Sequence, residues 1–323
     1  MSDIQNYILS AYGLNASVTN FGASLQDLRL ADDDIPLVLG FENPSDYATN
    51  TSHLGASAGS YANRIANGRY QLNDKTYQLD QNENNQHMLH GGHQGTGVQL
   101  WDCIEACEDA VLFQLHQPSG HMGFEGDIEL TCRYEMVAPQ TLSITYEAVC
   151  DRPRFINIAH HSYFKLDDSP TINDHELEIY SDEYLPVDND NIPTGELCPV
   201  AHTDFDFRKK RPIGNKAYDH NYCLAPSDSI RPVARLRSAR SGLCLTLHSD
   251  QIGLQFYSSD HLAEQAPNHH GRPYQPRDGI CLEPQFWPNS PNMPHFPSAY
   301  VPAHTRYKQT LWLEITRDEG PSS

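Results

Sequence analysis

The fold class of this chain is indicated most clearly by residues 128–136, "IELTCRYEM", and residues 142–149, "LSITYEAV". In both runs apolar and polar side chains alternate, which is typical of a β-strand with one buried face. Similar short runs, rich in Thr, Tyr, Ile, Val and Leu and separated by turn residues, recur along the sequence. We find no stretch of a dozen residues with a convincing helical period. The pattern predicts an all-β sandwich or barrel with few, short helices.

The composition narrows the class of protein. The 323 residues are 38% hydrophobic and 20% charged, which is enough apolar material for a sizeable core. The 42 acidic residues against 22 basic ones give a net charge of -20. This charge argues against nucleic acid or an anionic membrane as the main partner, because both attract clustered basic residues. No internal repeat or charged linker divides the chain, so we expect a single domain over residues 1–323.

The first residues and the cysteines indicate a compartment. The segment "MSDIQNYILSAYG" lacks the basic start and the apolar stretch of a secretory signal. No segment approaches the roughly 20 apolar residues that are needed to span a bilayer. The eight cysteines are scattered and form no C-x-x-C motif, so we expect reduced, mostly buried thiols. Together these features predict a cytoplasmic protein.

Residues 156–166, "INIAHHSYFKL", place two histidines next to each other near the end of an apolar run. In an extended strand, alternate side chains point to opposite faces. His160 then shares the apolar face with Phe164, whereas His161 shares the other face with Tyr163. We therefore predict that His161 lines a polar cleft and that His160 is a buried structural residue.

Two further runs show the same division of faces. In "GICLEPQ", residues 279–285, Glu283 lies on the face opposite Ile280 and Leu282. In "GLQFYSS", residues 253–259, Gln255 lies on the face opposite Phe256. The aromatic and proline neighbours of Glu283 favour desolvation of its carboxyl group, which would raise its pKa toward that of a general base. The alternative for Glu283 is an exposed or ion-paired carboxylate.

The loop "HMLHGGHQGTG", residues 87–97, spaces three histidines three residues apart. His87, His90 and His93 invite a metal hypothesis, but zinc needs ligands that a helix or hairpin brings together, and a further ligand besides. We therefore expect no metal ion. A single imidazole that donates to a substrate hydroxyl is the favoured interpretation.

Three other polar residues complete the candidate site. Asn63 and Arg64 lie in "ANRI", where the arginine is either a fixed donor fork or a surface side chain. Asp219, in "YDHNY", is either a hydroxyl acceptor or a turn cap. The inventory of carboxylates, amides, arginine, imidazole and aromatic rings suits the recognition of a polyhydroxylated sugar.

Six of the motifs in the chain are "GASAGSYANRIANGRYQLN", "LHGG", "HSYFKL", "YDHNY", "GLQFYSS" and "LEPQFWPNSPN". In these and further segments, from about residue 17 to residue 316, the chain resembles the aldose 1-epimerase (galactose mutarotase) family. Each motif is short, but their joint occurrence in the order of the family argues strongly against chance similarity.

The resemblance implies a fold, an activity and a set of site residues. The fold is a large antiparallel β-sandwich of the galactose mutarotase type. The resemblance also implies that no cofactor is needed. The activity is that of an isomerase, an aldose 1-epimerase that interconverts the anomers of free aldohexoses such as glucose or galactose. Glu283 is implied as the general base and His161 as the general acid, which predicts a bell-shaped pH dependence. The residues implied to hold the sugar are Asn63, Arg64, His90, Tyr163, Asp219 and Gln255.

The chain departs from the family pattern at three positions. Ser60 stands where arginine is usual, and His160 and Lys165 stand where asparagine is usual. We expect these departures to affect the sugar preference more than the reaction, or to be compensated by packing.

Other readings of the function stay open at this point. A hexose-6-phosphate 1-epimerase would need several basic side chains that converge on the phosphate. A catalytically silent sugar-binding protein of the same fold is a second alternative, since fold does not fix function. A glycoside hydrolase would need two carboxylates that flank the bond, for which Glu283 and Asp219 are available, but no motif supplies the acid for the leaving group. A small-molecule sugar is the expected ligand in the leading reading, with the protein a monomer or a homodimer.

Overall fold

The computed structural model describes residues 3–317, and strands dominate it. The strands are β1 (Asn6–Ala11), β2 (Leu14–Thr19), β3 (Ser24–Leu30), β4 (Ser57–Ala58), β5 (Arg64–Ile65), β6 (Arg69–Leu72), β7 (Lys75–Gln78), β8 (Met88–Leu89), β9 (Asp102–Ala106), β10 (Ala110–Gln117), β11 (Ile128–Ala138), β12 (Thr141–Cys150), β13 (Arg154–Phe155), β14 (Ala159–His160), β15 (Tyr163–Phe164), β16 (Glu176–Ile179), β17 (Glu183–Tyr184), β18 (Cys198–Pro199), β19 (Arg211–Pro212), β20 (Asp219–Cys223), β21 (Arg231–Arg237), β22 (Leu243–Ser249), β23 (Gly253–Tyr257), β24 (Ile280–Gln285), β25 (Tyr300–Val301) and β26 (Arg306–Arg317).

The helices of the described residues are short 3₁₀ turns, as the sequence predicts. They span Pro44–Thr49, Ala66–Gly68, Thr96–Val98, His121–Gly123 and Ser290–Asn292. Within residues 3–317, no helix is long and apolar enough to cross a membrane.

The largest sheet has nine antiparallel strands in the order β19-β16-β21-β22-β26-β12-β11-β10-β9. The two runs that predict the fold form its adjacent strands β11 and β12, with Ile128 opposite Cys150 and Cys132 opposite Tyr146. One face of β11 is fully buried, as Ile128, Leu130 and Cys132 show. Each large apolar side chain buried in this way stabilises the fold by about 1.5–3 kcal/mol. The strand pattern predicted from the alternation is confirmed.

A second sheet has six strands in the order β15-β24-β23-β20-β17-β18. Its inner face, which includes Phe256 and Leu282, shares one hydrophobic core with Ile144 and Leu313 of the nine-stranded sheet. The two sheets are therefore layers of a sandwich, each burying its apolar face against the other. The predicted all-β sandwich is confirmed.

The segment "LNDK", residues 72–75, forms a tight hairpin turn, as its polar residue types favour, and the cysteines are unpaired, as the sequence predicts. Asn73 and Asp74 join β6 to β7 with positive φ angles of 50° and 60°, a backbone that Asn and Asp tolerate well in tight hairpins. All eight cysteines are free thiols. Four of them are buried, three are partly buried and Cys107 is exposed.

Residues 156–166 do not form the single extended strand that the sequence predicts. β14 pairs with β4, whereas β15 pairs with β24 in the six-stranded sheet. The change of partner falls at His161, whose backbone bonds to Gly55 and Ala56 instead of to a sheet neighbour. The side chains still divide as predicted, because Phe164 lies in the core and His161 lines a cavity on the other side.

Candidate active site

A cavity of about 530 Å³ opens beside the six-stranded sheet. Strands β15, β20, β23 and β24 form one wall, and the loops around residues 51–53 and 83–90 form the other. All eight predicted site residues line this cavity: Asn63, Arg64, His90, His161, Tyr163, Asp219, Gln255 and Glu283.

The centre of the cavity is the pair formed by His161 and Glu283. The imidazole Nε2 lies 3.7 Å from the carboxylate Oε2, and the side chains are 7% and 2% exposed. Among the described residues, no hydrogen-bond donor satisfies Glu283 Oε2. A buried oxygen without a partner is costly unless a ligand completes it. The pair therefore fits a bound molecule that offers a hydroxyl group.

Burial sets the protonation of this pair. It raises the pKa of Glu283 well above the ordinary range, an effect that Asp219 increases and Arg64 opposes. It also lowers the pKa of His161 to about 3, and the neighbouring His53 acts in the same direction. Burial thus favours the uncharged forms of both groups, the carboxylic acid and the neutral imidazole.

A network of charges holds the wall next to the pair. Arg64 forms a two-pronged ion pair with Glu83, at 2.8 Å from both Nε and Nη2, and its Nη1 lies 3.6 Å from Asp219. Gln255 donates from Nε2 to Asp219 Oδ1 at 2.6 Å. Gln255 Oε1 is buried and accepts no bond from the described residues. Gln255 lies opposite Glu283 across β23 and β24, so the two side chains are on the same face of the sheet.

His90 is fixed in orientation by the backbone of Asn63. The Asn63 N–H donates to His90 Nδ1 at 3.3 Å, so Nε2 carries the ring proton and is the donor of the imidazole. Burial, together with His53 and His161, lowers the pKa of His90 well below 6.5, which keeps the ring neutral. The glycine after His90 is required, since a Cβ on Gly91 would lie 1.9 Å from the Gly59 carbonyl oxygen.

Tyr163 contributes its ring to the wall of the cavity, and its hydroxyl group is already hydrogen-bonded. Its OH donates to the Ser52 carbonyl at 2.9 Å, and its ring lies 5.2 Å from the ring of His161. Asn63 is similarly constrained, because its Oδ1 accepts the Arg64 N–H at 2.9 Å. Both residues fix the shape of the site around the pair.

The cavity also contains residues that were not predicted from the sequence, among them His53 and Glu83. The ring of His53 packs against that of His90 with centroids 4.9 Å apart and a tilt of 54°, and it lies 5.9 Å from the His161 ring. Glu83 orients Arg64. Both lie in irregular loops, where no strand period indicates which side chain faces inward. His53, Asn63 and His90 all have positive φ angles of 50–60°, and such strained non-glycine residues cluster at functional sites.

Two of the departures from the family pattern are explained by the structure. His160 lies in the core, as predicted, with Ser162 Oγ 2.7 Å from Nε2 and Tyr146 OH 3.4 Å from Nδ1. Ser60 accepts a hydrogen bond of 2.5 Å from the buried guanidinium of Arg154. The guanidinium of Arg154, from β13, thus contacts position 60, which is consistent with compensation by packing.

The three loop histidines do not converge on one point. His87 Nε2 lies 3.6 Å from Asp190, and His93 Nδ1 lies 2.7 Å from Asp80. In residues 3–317, the group with metal-ligand spacing is His161, Cys281 and Glu283, whose ligand atoms lie within 4.8 Å of one another. Burial raises the pKa of the Cys281 thiol well above 9, which opposes the thiolate that a metal ion requires.

Comparison with known proteins identifies the family of this chain. A family profile described as aldose 1-epimerase matches residues 5–314. Galactose mutarotase from Mus musculus is 34% identical over 97% of this chain and 94% of its own length. Aldose 1-epimerase from Escherichia coli K12 is 36% identical over 88% of this chain and 86% of its own length. The crystal structure of an aldose epimerase homologue from C. elegans, 27% identical, covers 98% of this chain and 99% of its own with a TM-score of 0.91. The chain belongs to the aldose 1-epimerase family.

Proposed function

We propose that this protein is an aldose 1-epimerase that interconverts the α and β anomers of a free aldohexose such as glucose or galactose. Family membership and the names of its relatives support this activity. The observation that carries the proposal is the pair of His161 and Glu283, 3.7 Å apart in one cavity with groups that bind hydroxyls. A proton donor and a proton acceptor at this spacing can form hydrogen bonds with the two oxygens of one hemiacetal carbon.

The reaction needs the sugar ring to open and close. Glu283 takes the proton from the O1 hydroxyl, the C1–O1 double bond forms, the C1–O5 bond breaks, and His161 gives a proton to O5. Rotation about the C1–C2 bond then presents the other face of the aldehyde. The reverse transfers close the ring as the other anomer. Each positioned proton transfer contributes about 10²–10⁴-fold to the rate.

Burial of the pair matches this cycle. The closed ring reacts with the carboxylate–imidazolium form, and ring opening leaves the carboxylic acid and the neutral imidazole. The raised pKa of Glu283 and the lowered pKa of His161 favour the second form. Both forms have the same net charge, so the cycle moves one proton inside the pair without bringing an unpaired charge into the buried site. Burial thus stabilises the state that accompanies the open-chain sugar.

The other predicted residues hold the sugar in this proposal. Asp219 and Gln255 act as one unit, with the free Gln255 Oε1 accepting a sugar hydroxyl beside Glu283. Arg64 and His90 donate to further hydroxyl oxygens, the first from a guanidinium held by ion pairs and the second from Nε2. Asn63 and Tyr163 supply the remaining amide and ring surface.

The test is background-corrected polarimetry on freshly dissolved α-D-glucose and α-D-galactose. We expect His161→Ala and Glu283→Gln each to lower kcat by about 10²-fold or more, because each removes one proton transfer. His160→Ala is the matched control, because the adjacent imidazole faces the core. We expect it to keep most of the activity once its folding is verified. Full activity of Glu283→Gln would overturn the proposed mechanism.

A hexose 6-phosphate fits this cavity less well than a free sugar. Arg64, which lines this cavity, is already paired with Glu83 and Asp219. Asp219, the other charged residue that acts on Glu283, is acidic, so a phosphate would meet repulsion instead of the converging basic groups that it needs. A silent sugar-binding protein would not need the His161–Glu283 pair, which this chain retains.

We further infer a single domain over residues 1–323 that acts in the cytoplasm as a monomer or homodimer, with a sugar as its ligand and without a cofactor. The net charge of -20 supports solubility and disfavours nucleic acid and anionic membranes as partners. Size-exclusion chromatography with light scattering distinguishes the two oligomeric states.

A further inference from the structure

Lys165 lies in a second cavity, separate from the sugar site. This cavity has a volume of about 350 Å³ and shares no lining residue with the first. It lies between residues 34–39, the chain that follows β15, and the loop 268–278. Ile35, Val38, Leu39 and Tyr274 give it apolar walls. The mechanism proposed above uses no residue of this cavity.

The ammonium group of Lys165 has no partner in the part of the chain that the structure describes. The residue is 8% exposed, and it forms neither a side-chain hydrogen bond nor an ion pair there. The closest comparison is with the other lysines of the chain. Three of these are paired at the surface, namely Lys75 with Glu125, Lys210 with Glu176 and Lys216 with Asp204. The other two, Lys209 and Lys308, are exposed.

The carboxylates near Lys165 are engaged elsewhere. Asp278 accepts bonds from Arg272 at 2.9 Å and from the Gln275 N–H at 2.9 Å. Asp167 accepts bonds from the hydroxyls of Ser169 and Ser238. Burial lowers the pKa of Lys165, and Asp278 opposes this effect. Burial thus disfavours the charged form of Lys165, and the neutral form of a lysine is the nucleophile toward carbonyl carbon.

We propose that this cavity binds small aldehydes with an apolar body and that Lys165 captures them as a reversible imine. The Nζ lone pair attacks the carbonyl carbon, a C–N bond forms, and the carbonyl oxygen takes a proton to give a carbinolamine. Loss of this hydroxyl as water, with the remaining amine proton, leaves the C=N double bond. The step consumes the aldehyde and releases water, and it needs no oxidant or reductant. Asp167 and Asp278 lie where they stabilise the protonated imine electrostatically.

Reductive trapping in the intact protein tests this proposal. The folded protein is incubated near neutral pH with isobutanal and cyanoborohydride, and labelling of each lysine is followed by peptide mass mapping. A parallel arm uses D-glyceraldehyde, which presents the same carbonyl on a hydroxylated body. Lys209 and Lys308 serve as internal controls, because both are exposed.

We expect Lys165 to be labelled by isobutanal about tenfold faster than the controls, because the cavity holds the aldehyde next to an amine whose charged form is disfavoured by burial. The rate at Lys165 should saturate with isobutanal, should be lower with D-glyceraldehyde, and should lose its advantage when the protein is unfolded in guanidinium. Labelling of Lys165 no faster than that of Lys209, or a rate that rises linearly without saturation, would overturn the proposal. An equal preference for the two aldehydes would overturn the apolar specificity. Because the sugar cavity includes no lysine among its described lining residues, these results do not depend on the proposed epimerase activity.

Discussion

Tyr163 pairs with Cys281 across β15 and β24, and this register brings His161 and Glu283 to one point. His161 precedes Tyr163 by two residues and Glu283 follows Cys281 by two, so antiparallel pairing carries both side chains toward the same end and the same face. A slip of one residue would turn Glu283 into the core. The His161–Glu283 pair therefore depends on the register of β15 and β24 and on the backbone hydrogen bonds that hold His161 to Gly55 and Ala56.

The pH dependence of activity follows from the shifted pKa values of the pair. Activity requires that the His161–Glu283 pair holds one transferable proton. It is lost at low pH, when the imidazole of His161 is protonated while Glu283 keeps its proton, and at high pH, when Glu283 loses its proton. Since the pKa of His161 is lowered to about 3 and that of Glu283 is raised, both limbs move outward. We expect kcat/KM, measured by polarimetry at each pH, to form a wide bell. An acid limb centred near 6.5 would contradict the burial of a neutral His161.

His53 is expected to set the position of the acid limb. Its proximity lowers the pKa of both His161 and His90, so His53→Leu should move the acid limb of kcat/KM toward neutral pH. The control is His304→Leu, which replaces an exposed histidine. If the acid limb of His53→Leu stays at the wild-type pH, the three imidazoles are not electrostatically coupled.

Asp219→Asn is expected to affect both binding and the alkaline limb. The change removes a charge that holds Arg64 and Gln255, and the loss of a charge-assisted hydrogen bond of about 1.5–3 kcal/mol raises KM by roughly 10-fold or more. Asp219 also raises the pKa of Glu283, so its removal should move the alkaline limb to lower pH. Asp228→Asn, an exposed aspartate, is the control in the same polarimetric assay. A changed KM with an unchanged alkaline limb would separate the two effects and refute the second.

Position 60 and position 154 are expected to be energetically coupled. Ser60→Arg would place a second guanidinium against that of Arg154 in a buried space, at a cost of about 3 kcal/mol or more. The double variant Ser60→Arg/Arg154→Met should recover much of this loss, because one guanidinium again fills the space. Urea unfolding of wild type, both single variants and the double variant gives the coupling free energy. Additive changes would show that the two positions act independently.

Much of the site could be predicted because strand side chains alternate. The alternation of side chains between the two faces of a strand indicated His161, Gln255 and Glu283 in three separate runs, and all three line the cavity. It also placed His160 in the core, where Tyr146 and Ser162 now account for both ring nitrogens. These inferences held because alternation depends on local backbone geometry alone.

Other features could not be predicted because they depend on contacts between distant segments. Residues 156–166 read as one strand, but the pairing partner changes from β4 to β24 at His161. His53 and Glu83 lie in loops whose side-chain directions follow from no period. The replacement of an arginine at position 60 by Arg154 appears only when the two segments are seen together.

A crystal structure of Glu283→Gln with bound D-galactose shows whether His161 and residue 283 contact the two oxygens of the anomeric carbon. We expect the side chain at position 283 to lie within hydrogen-bond distance of O1 and His161 Nε2 to lie within hydrogen-bond distance of O5 of the same ring. Gln255 Oε1 should accept a hydroxyl of that sugar. A galactose whose ring oxygen faces away from His161, or that binds outside the cavity lined by His161 and Glu283, would contradict it.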